Sequence, residues 1–379
     1  MNPTIQHKQS VVCSRVRLTT SNTIRKIFIS VGLLFALTGP LAADKPQPTI
    51  ITFDAPGAVA TFAAGINPAG VISGGYVDAN NVLHGYVRAP DGTFTTYEAP
   101  GAGTGPGQGT GPNGMNAAGD ITGNVTDASN LTHGYVRAHD GTITNFDAPG
   151  ATVAFGTVGF GINPAGVIAG IWGDSNMIHG FVRAKDGTIT EFDPPGSIAT
   201  FMSEHGCINP AGFIVGVYFD AGFVPHGFVR APDGTITTFD APGAGTGPFQ
   251  GTGATCINPT GTIDGGFTDS NNVNHCFVRD ADGTFTTFDV PGAGTAPNQG
   301  PLPMAINPRG TIAGWYIDAS NVKHSFVREA NGVITTFDVP GAGTGPGQGT
   351  MSGVNNPAGA ITGSYIDSNN VFHGFLRIL

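Results

Sequence analysis

The sequence is poor in cysteine, in basic residues and in long apolar runs. Only Cys207, Cys256 and Cys276 follow residue 43. An odd number so spaced does not indicate a disulfide framework; one bridge with a free thiol and three small buried thiols are both open. Lys and Arg number 16, and all 26 Asp and Glu lie beyond residue 43. Eleven basic residues face those acids there, a balance near −15. It disfavours nucleic acid and anionic membrane as partners and permits cationic ligands or divalent metals. No stretch after residue 43 has helical periodicity. The Gly-rich segments 101–110 and 341–350 lack Gly-Lys-Ser/Thr and precede no helix pattern, which argues against a phosphate-binding loop.

Residues 1–43 stand apart. They hold Lys8, Arg15, Arg17, Arg25 and Lys26 and no acid, then the apolar run Ile27 to Leu37, then small residues ending at Ala43. The run is short for a membrane span and is followed by Gly39-Pro40. This order predicts a secretory signal peptide over 1–43 and a secreted or periplasmic mature chain, 44–379, with no membrane insertion. No Cys closely follows the apolar run, which argues against a lipid anchor.

What is abundant is Gly (60) and Pro (28), in register with Val, Ile, Phe and Tyr. From residue 49 onward one unit recurs seven times. An Asn-Pro-Ala-Gly turn places its Asn at 67, 116, 163, 209, 258, 307 and 356. Ile-x-Gly-x-Tyr-x-Asp ends at 78, 127, 174, 220, 269, 318 and 367, and His-Gly-Phe-Val-Arg starts at 84, 133, 179, 226, 275, 324 and 373. Thr-Ile-Thr-Thr-Phe-Asp, first seen at 49–54, follows Asp-Gly or Asn-Gly hairpin turns in the other six copies. The His spacings of 46 to 49 residues have the period of a propeller or solenoid. Each unit reads as four strands. The chain begins with a lone fourth strand and ends just after a seventh third strand. That phase suits a closed ring, in which no edge is left open. The expected fold is all-β: a seven-bladed β-propeller of four-stranded blades, closed by pairing Thr49–Asp54 with His373–Arg377, and monomeric. The first strand of each blade is innermost. The Asp-x-Asn-Asn loops and Pro-Gly-Ala-Gly linkers then share one face, the candidate binding face.

These linked motifs resemble the bacterial extracellular HAF-repeat family over residues 49–379. The middle residue of the name-giving tripeptide is Gly in five copies here, Cys276 in one and Ser325 in another, never Ala. The resemblance implies an exported repeat protein. It brings no catalytic mechanism and no site residues.

Within the repeats, Asp78 and His84 and their equivalents face each other across a short loop. The plain reading is a structural hydrogen bond; metal binding or acid–base work is the sharper one. The seven Arg, from Arg88 to Arg377, are expected to pair with the Asp that ends strand two or four. Phe62, Phe155, Phe160 and Phe201 break the symmetry of the binding face and could stack on a sugar, or fill the core. The Asp/Asn loops offer oxygen ligands for Ca²⁺ but lack a dedicated calcium spacing; no other cofactor is indicated. The asymmetric run Ser203-Glu204-His205-Gly206-Cys207, with Asp264, could supply an acid and a base for glycan cleavage if these residues converge near the channel mouth. The leading functional reading is an exported scaffold that binds a polysaccharide or surface protein on the long-loop face. The alternatives are a glycan hydrolase or lyase and a purely structural or adhesive module.

Overall fold

The computed structural model describes residues 47–151, 155–203 and 207–379. The expected signal peptide, Glu204 and His205 lie outside them. The described residues form 28 β-strands and no helix. A lone strand β1 (Thr49–Phe53) is followed by the first four-stranded unit: β2 (Ala60–Ile66), β3 (Ile72–Val77), β4 (Leu83–Arg88) and β5 (Phe94–Tyr97). These pair in order as an antiparallel meander, and the same meander recurs along the chain. Three sheets have four strands and two have eight. Each larger sheet is two meanders joined through one parallel residue pair, Leu83 with Gly109 and Lys323 with Gly349. No sheet closes on itself. The chain's two ends nonetheless meet: β1 pairs antiparallel with the last strand, Phe372–Ile378, from Thr49 opposite Ile378 to Phe53 opposite Gly374.

The core lies between neighbouring meanders. At one repeat position the ring is fully buried each time: Tyr86, Tyr135, Phe181, Phe228, Phe277, Phe326 and Phe375. The Gly of the His-Gly-Phe motif exists because a fourth-strand aromatic lies across it. A Cβ on Gly227 would sit 2.4 Å from the Phe239 ring, and one on Gly374 would sit 2.2 Å from Phe53. Cys276 and Ser325 occupy that position opposite Phe288 and Phe337.

Turn asparagines link one repeat to the next. Each Oδ1 accepts N–H groups of its own turn, as Asn67 does from Ala69 and Val71. Five of the Nδ2 groups donate to the backbone carbonyl of the next repeat's Asn: Asn116 to Asn163, Asn163 to Asn209, Asn209 to Asn258, Asn307 to Asn356 and Asn356 to Asn67. The last of these runs from the end of the chain to its beginning. A cavity of about 220 Å³ is lined by first-strand and turn residues from around the molecule, among them Gly65, Gly114, Gly161, Ile208, Cys256, Ala305 and Val354. Small side chains there let the first strands crowd together. Cys207, Cys256 and Cys276 are all buried free thiols; burial pushes Cys207 up to about 12, so it stays protonated.

Candidate functional site

The repeated polar groups are structural partners of one another. Each motif histidine donates Nδ1–H to the carboxylate just after the fourth strand, fourteen residues later or, for His373, to Asp54 just after β1. The distances are 2.6 Å for His179–Asp193, 2.8 Å for His226–Asp240 and 2.9 Å for His373–Asp54; His84 pairs in the same way with Glu98. The expected partner, the Asp ending strand two, stands 3.5–3.8 Å from Nε2. That is a second, looser neighbour rather than the hydrogen bond. Its carboxylate caps its own loop instead: Asp78 Oδ1 accepts from Asn80 N and Val82 N. These N–H groups, Val82 first, hold the Asp78 carboxyl below the usual carboxylate range. Among the described residues no three His, Cys, Asp or Glu side chains gather to hold a metal ion.

The arginines depart further from expectation. None is within salt-bridge distance of a carboxylate among the described residues. Each guanidinium instead lies over the fourth-strand aromatic of the preceding repeat, 4.7–5.0 Å from the ring centre: Arg88 over Phe53, Arg137 over Tyr97, Arg183 over Phe146, Arg230 over Phe192, Arg279 over Phe239, Arg328 over Phe288 and Arg377 over Phe337. In five of them Nη1 donates to the carbonyl of the following residue, as from Arg88 to Ala89. A planar, weakly hydrated guanidinium suits this apolar wedge, whereas a compact ammonium does not. Arg279→Lys is therefore expected to cost about 1–2 kcal/mol in urea denaturation, with little change between 0.1 M and 1 M NaCl. A cost that vanishes at high salt would point to an ion pair instead.

The sevenfold pattern breaks on the long-loop face. A cavity of about 420 Å³ is lined by Phe62, Leu83, Pro112, Asn113, Asn124, Met304, Trp315, Met351, Ser364 and Phe372. A second, of about 400 Å³, is lined by Met202, Ser203, Val217, His275, Leu302, Pro303 and again Met304. The two adjoin at Met304. Phe62 and Phe372 rest against each other at 5.0 Å, and the Lys323 ammonium lies 5.7 Å from the Trp315 ring centre. Burial lowers the pKa of this lysine. Where Trp315 stands, the other repeats hold Gly75, Asn124, Ile171, Val217, Gly266 and Ser364; where Lys323 stands they hold Leu83, Thr132, Ile178, Pro225, Asn274 and Phe372. Gly75, Asn124, Trp315 and Ser364 of the first column and Leu83 and Phe372 of the second line the larger cavity.

Of the aromatics singled out from sequence, Phe62 lines the larger cavity. Phe160 and Phe201 pack against the cluster around Met202, Cys207 and Phe228, which is core filling. Phe155 is 52% exposed, beside the 174–178 loop. Asp264 corrects an expectation: it is not at a channel mouth. It is fully buried, opposite Cys256 and Val278 on the neighbouring strands, and neither carboxyl oxygen finds a partner among the described residues. Burial pushes its pKa up to about 8. A side chain so enclosed cannot reach a substrate. Trp315, Met304, Phe372 and Lys323 escaped the sequence reading; the signal that finds them is departure from the repeat, read column by column.

No protein-family model matches this sequence, and no curated protein does. Solved structures do resemble it. Selenomethionine-substituted virginiamycin B lyase from Staphylococcus aureus superposes with a TM-score of 0.58 at 16% identity, covering 88% of this chain and 100% of that one. The β-propeller domain of the Trilobed protease from Pyrococcus furiosus gives 0.54 at 10% identity, covering 84% and 95%. The BP39L lectin from Burkholderia pseudomallei gives 0.50 at 8% identity, covering 85% and 99%. The fold is a β-propeller. At these identities the likeness carries the fold alone.

Proposed function

We propose that this chain is an exported seven-bladed β-propeller, of the HAF-repeat kind, that binds an extracellular polysaccharide or surface protein on its long-loop face. One observation carries the reading: the paired cavities around Met304, lined by Trp315, Phe62, Phe372 and Met351, form an apolar hollow whose lining differs from repeat to repeat. A concave, mostly apolar surface with a few polar groups is the usual form of a ligand site. Seven blades are supported by the seven repeats, by the asparagine links from repeat to repeat and from last to first, and by the pairing of β1 with the last strand. Export is supported by the composition of residues 1–43. Glycan cleavage has weaker support, because the proposed Asp264 is enclosed in the interior.

The test uses the two tryptophans of the chain. With Trp172→Phe, Trp315 alone reports, and its fluorescence is followed against a panel of polysaccharides and cell-surface extracts. A saturable change is expected with one of them, and Trp315→Ala is expected to weaken that binding about 30-fold. Unchanged affinity in Trp315→Ala would remove the cavity as the site.

A further inference from the structure

One unit carries two residues that the backbone does not favour. In six of the seven loops between the second and third strands a residue adopts the left-handed conformation, and in five of them it is Asn: Asn81, Asn130, Asn272, Asn321 and Asn370, with φ of 62–65°. At the corresponding site of the fourth unit it is Phe223, with φ of 59°. A second left-handed residue, in the linker that follows the fourth strand, donates its N–H to the carbonyl of the first. The pairs are Gly107 to Asn81, Asn298 to Asn272 and Gly347 to Asn321; in this unit the pair is Phe249 to Phe223, at 2.8 Å. Phe249 has φ of 62°. Asn and Gly tolerate this region, while a bulky side chain there is a genuine outlier. Both members of one hydrogen-bonded pair are thus phenylalanine, and both rings are in solvent, 51% and 68% exposed. Strain held in place by the surrounding scaffold, at an exposed apolar pair, marks a functional position.

The two rings are neighbours, 6.0 Å apart between centres, with their planes 30° from parallel. The other Phe and Tyr pairs, which pack the interior or line the cavities, cross at 48° or more. Phe219 supports Phe249 from below, edge to face at 6.2 Å. The loops that carry the rings, 220–225 and 243–250, contain no Lys or Arg; their one charge is Asp220. An exposed, uncharged pair of aromatic rings near a carboxylate is complementary to the C–H face of sugar rings, with hydroxyl groups donating to the carboxylate. It offers nothing to pair with a uronate or sulfate, and the chain's net charge of −10 repels both. We infer that Phe223 and Phe249 form a stacking platform for a neutral polysaccharide. The inference rests on the ligand-binding reading above and narrows it to a ligand class.

The experiment measures depletion of the full-length chain by cellulose, chitin, β-glucan and mannan, with alginate and polygalacturonate as acidic controls. Phe223→Asn, Phe249→Gly and the double variant are compared with Trp315→Ala. Each single substitution installs a residue used by other units and is expected to raise the Tm by about 1–2 °C, while the double variant loses at least about tenfold in retention by a neutral polymer. Retention unchanged in the double variant but lost in Trp315→Ala would overturn the platform and leave the cavity reading standing. Wild-type retention by acidic polymers only, or by none, would overturn it too. A Tm that does not rise would remove the strain on which it stands. A dimer in sedimentation that the double variant dissolves would assign the ring pair to a second copy instead.

Discussion

Asp264→Val is expected to stabilise the protein, by an amount that grows with pH. The other repeats hold Ser73, Thr122, Ala169, Val215, Ala313 and Thr362 at this position, all but the Asp neutral. Val215 is itself fully buried, so the site accepts a valine. In the wild type the carboxyl group is enclosed, and burial pushes its pKa from 3.8 to about 8. The sign follows from linkage. Below pH 4 the group is protonated in both the folded and unfolded chain. Between pH 4 and about 8 the unfolded chain has released the proton and the folded one still holds it, so stability falls as pH rises, by up to ~1.4 kcal/mol per pH unit. Above about 8 the folded protein contains a buried charge and the loss levels off. Urea denaturation at pH 5, 7 and 9 should therefore show wild type and variant diverging, by on the order of 3 kcal/mol across the range once relaxation around the buried charge is discounted. Parallel profiles would show that the carboxyl group is already satisfied in the folded state.

Deleting residues 47–54 is expected to abolish folding. The segment contributes every ladder pair between β1 and the last strand. It also supplies Phe53, whose ring fills the space above Gly374, meets Tyr86 edge to face at 6.5 Å and covers the Arg88 guanidinium. Asp54 leaves with it, taking the hydrogen-bond partner of His373. The loss of Phe53 alone is worth about 3–4 kcal/mol, and the bared edge of the last strand becomes a template for aggregation. Phe53→Ala gives the measurable fraction of the effect in a thermal melt. The deletion should yield insoluble protein, rescued in part when a peptide of residues 47–57 is present during refolding. A soluble deletion variant melting within about 5 °C of the full chain would show that the fold holds without β1.

The strand pattern was legible because Asn-Pro-Ala-Gly and Asp-Gly turns punctuate β-branched runs at a constant period, and turn chemistry is local. Long-range partners were less so. His84 lies six residues after Asp78 and fourteen before Glu98; only the pleat and register of three paired strands decide which carboxylate receives its proton. The arginine partners were missed for another reason. Arg183 lies over Phe146 of the preceding repeat, and no local pattern announces a contact across a blade boundary between a cation and a ring. Trp315 and Phe223 were visible in principle, since each is the odd residue in its column.

The asparagine belt has a consequence for how the protein ages. An asparagine side chain deamidates when the next residue's backbone N–H attacks its amide carbon. Proline has no N–H to give. Asn67, Asn163, Asn209, Asn258, Asn307 and Asn356 all precede proline, so the residues that knit the repeats together are chemically shielded by the turn that presents them. Asn116 precedes Ala117. Its Nδ2 donates both to Asp120 and to the Asn163 carbonyl, and conversion to aspartate would replace that donor by a charge facing two oxygens. Slow chemical wear among the turn asparagines is therefore concentrated at one residue.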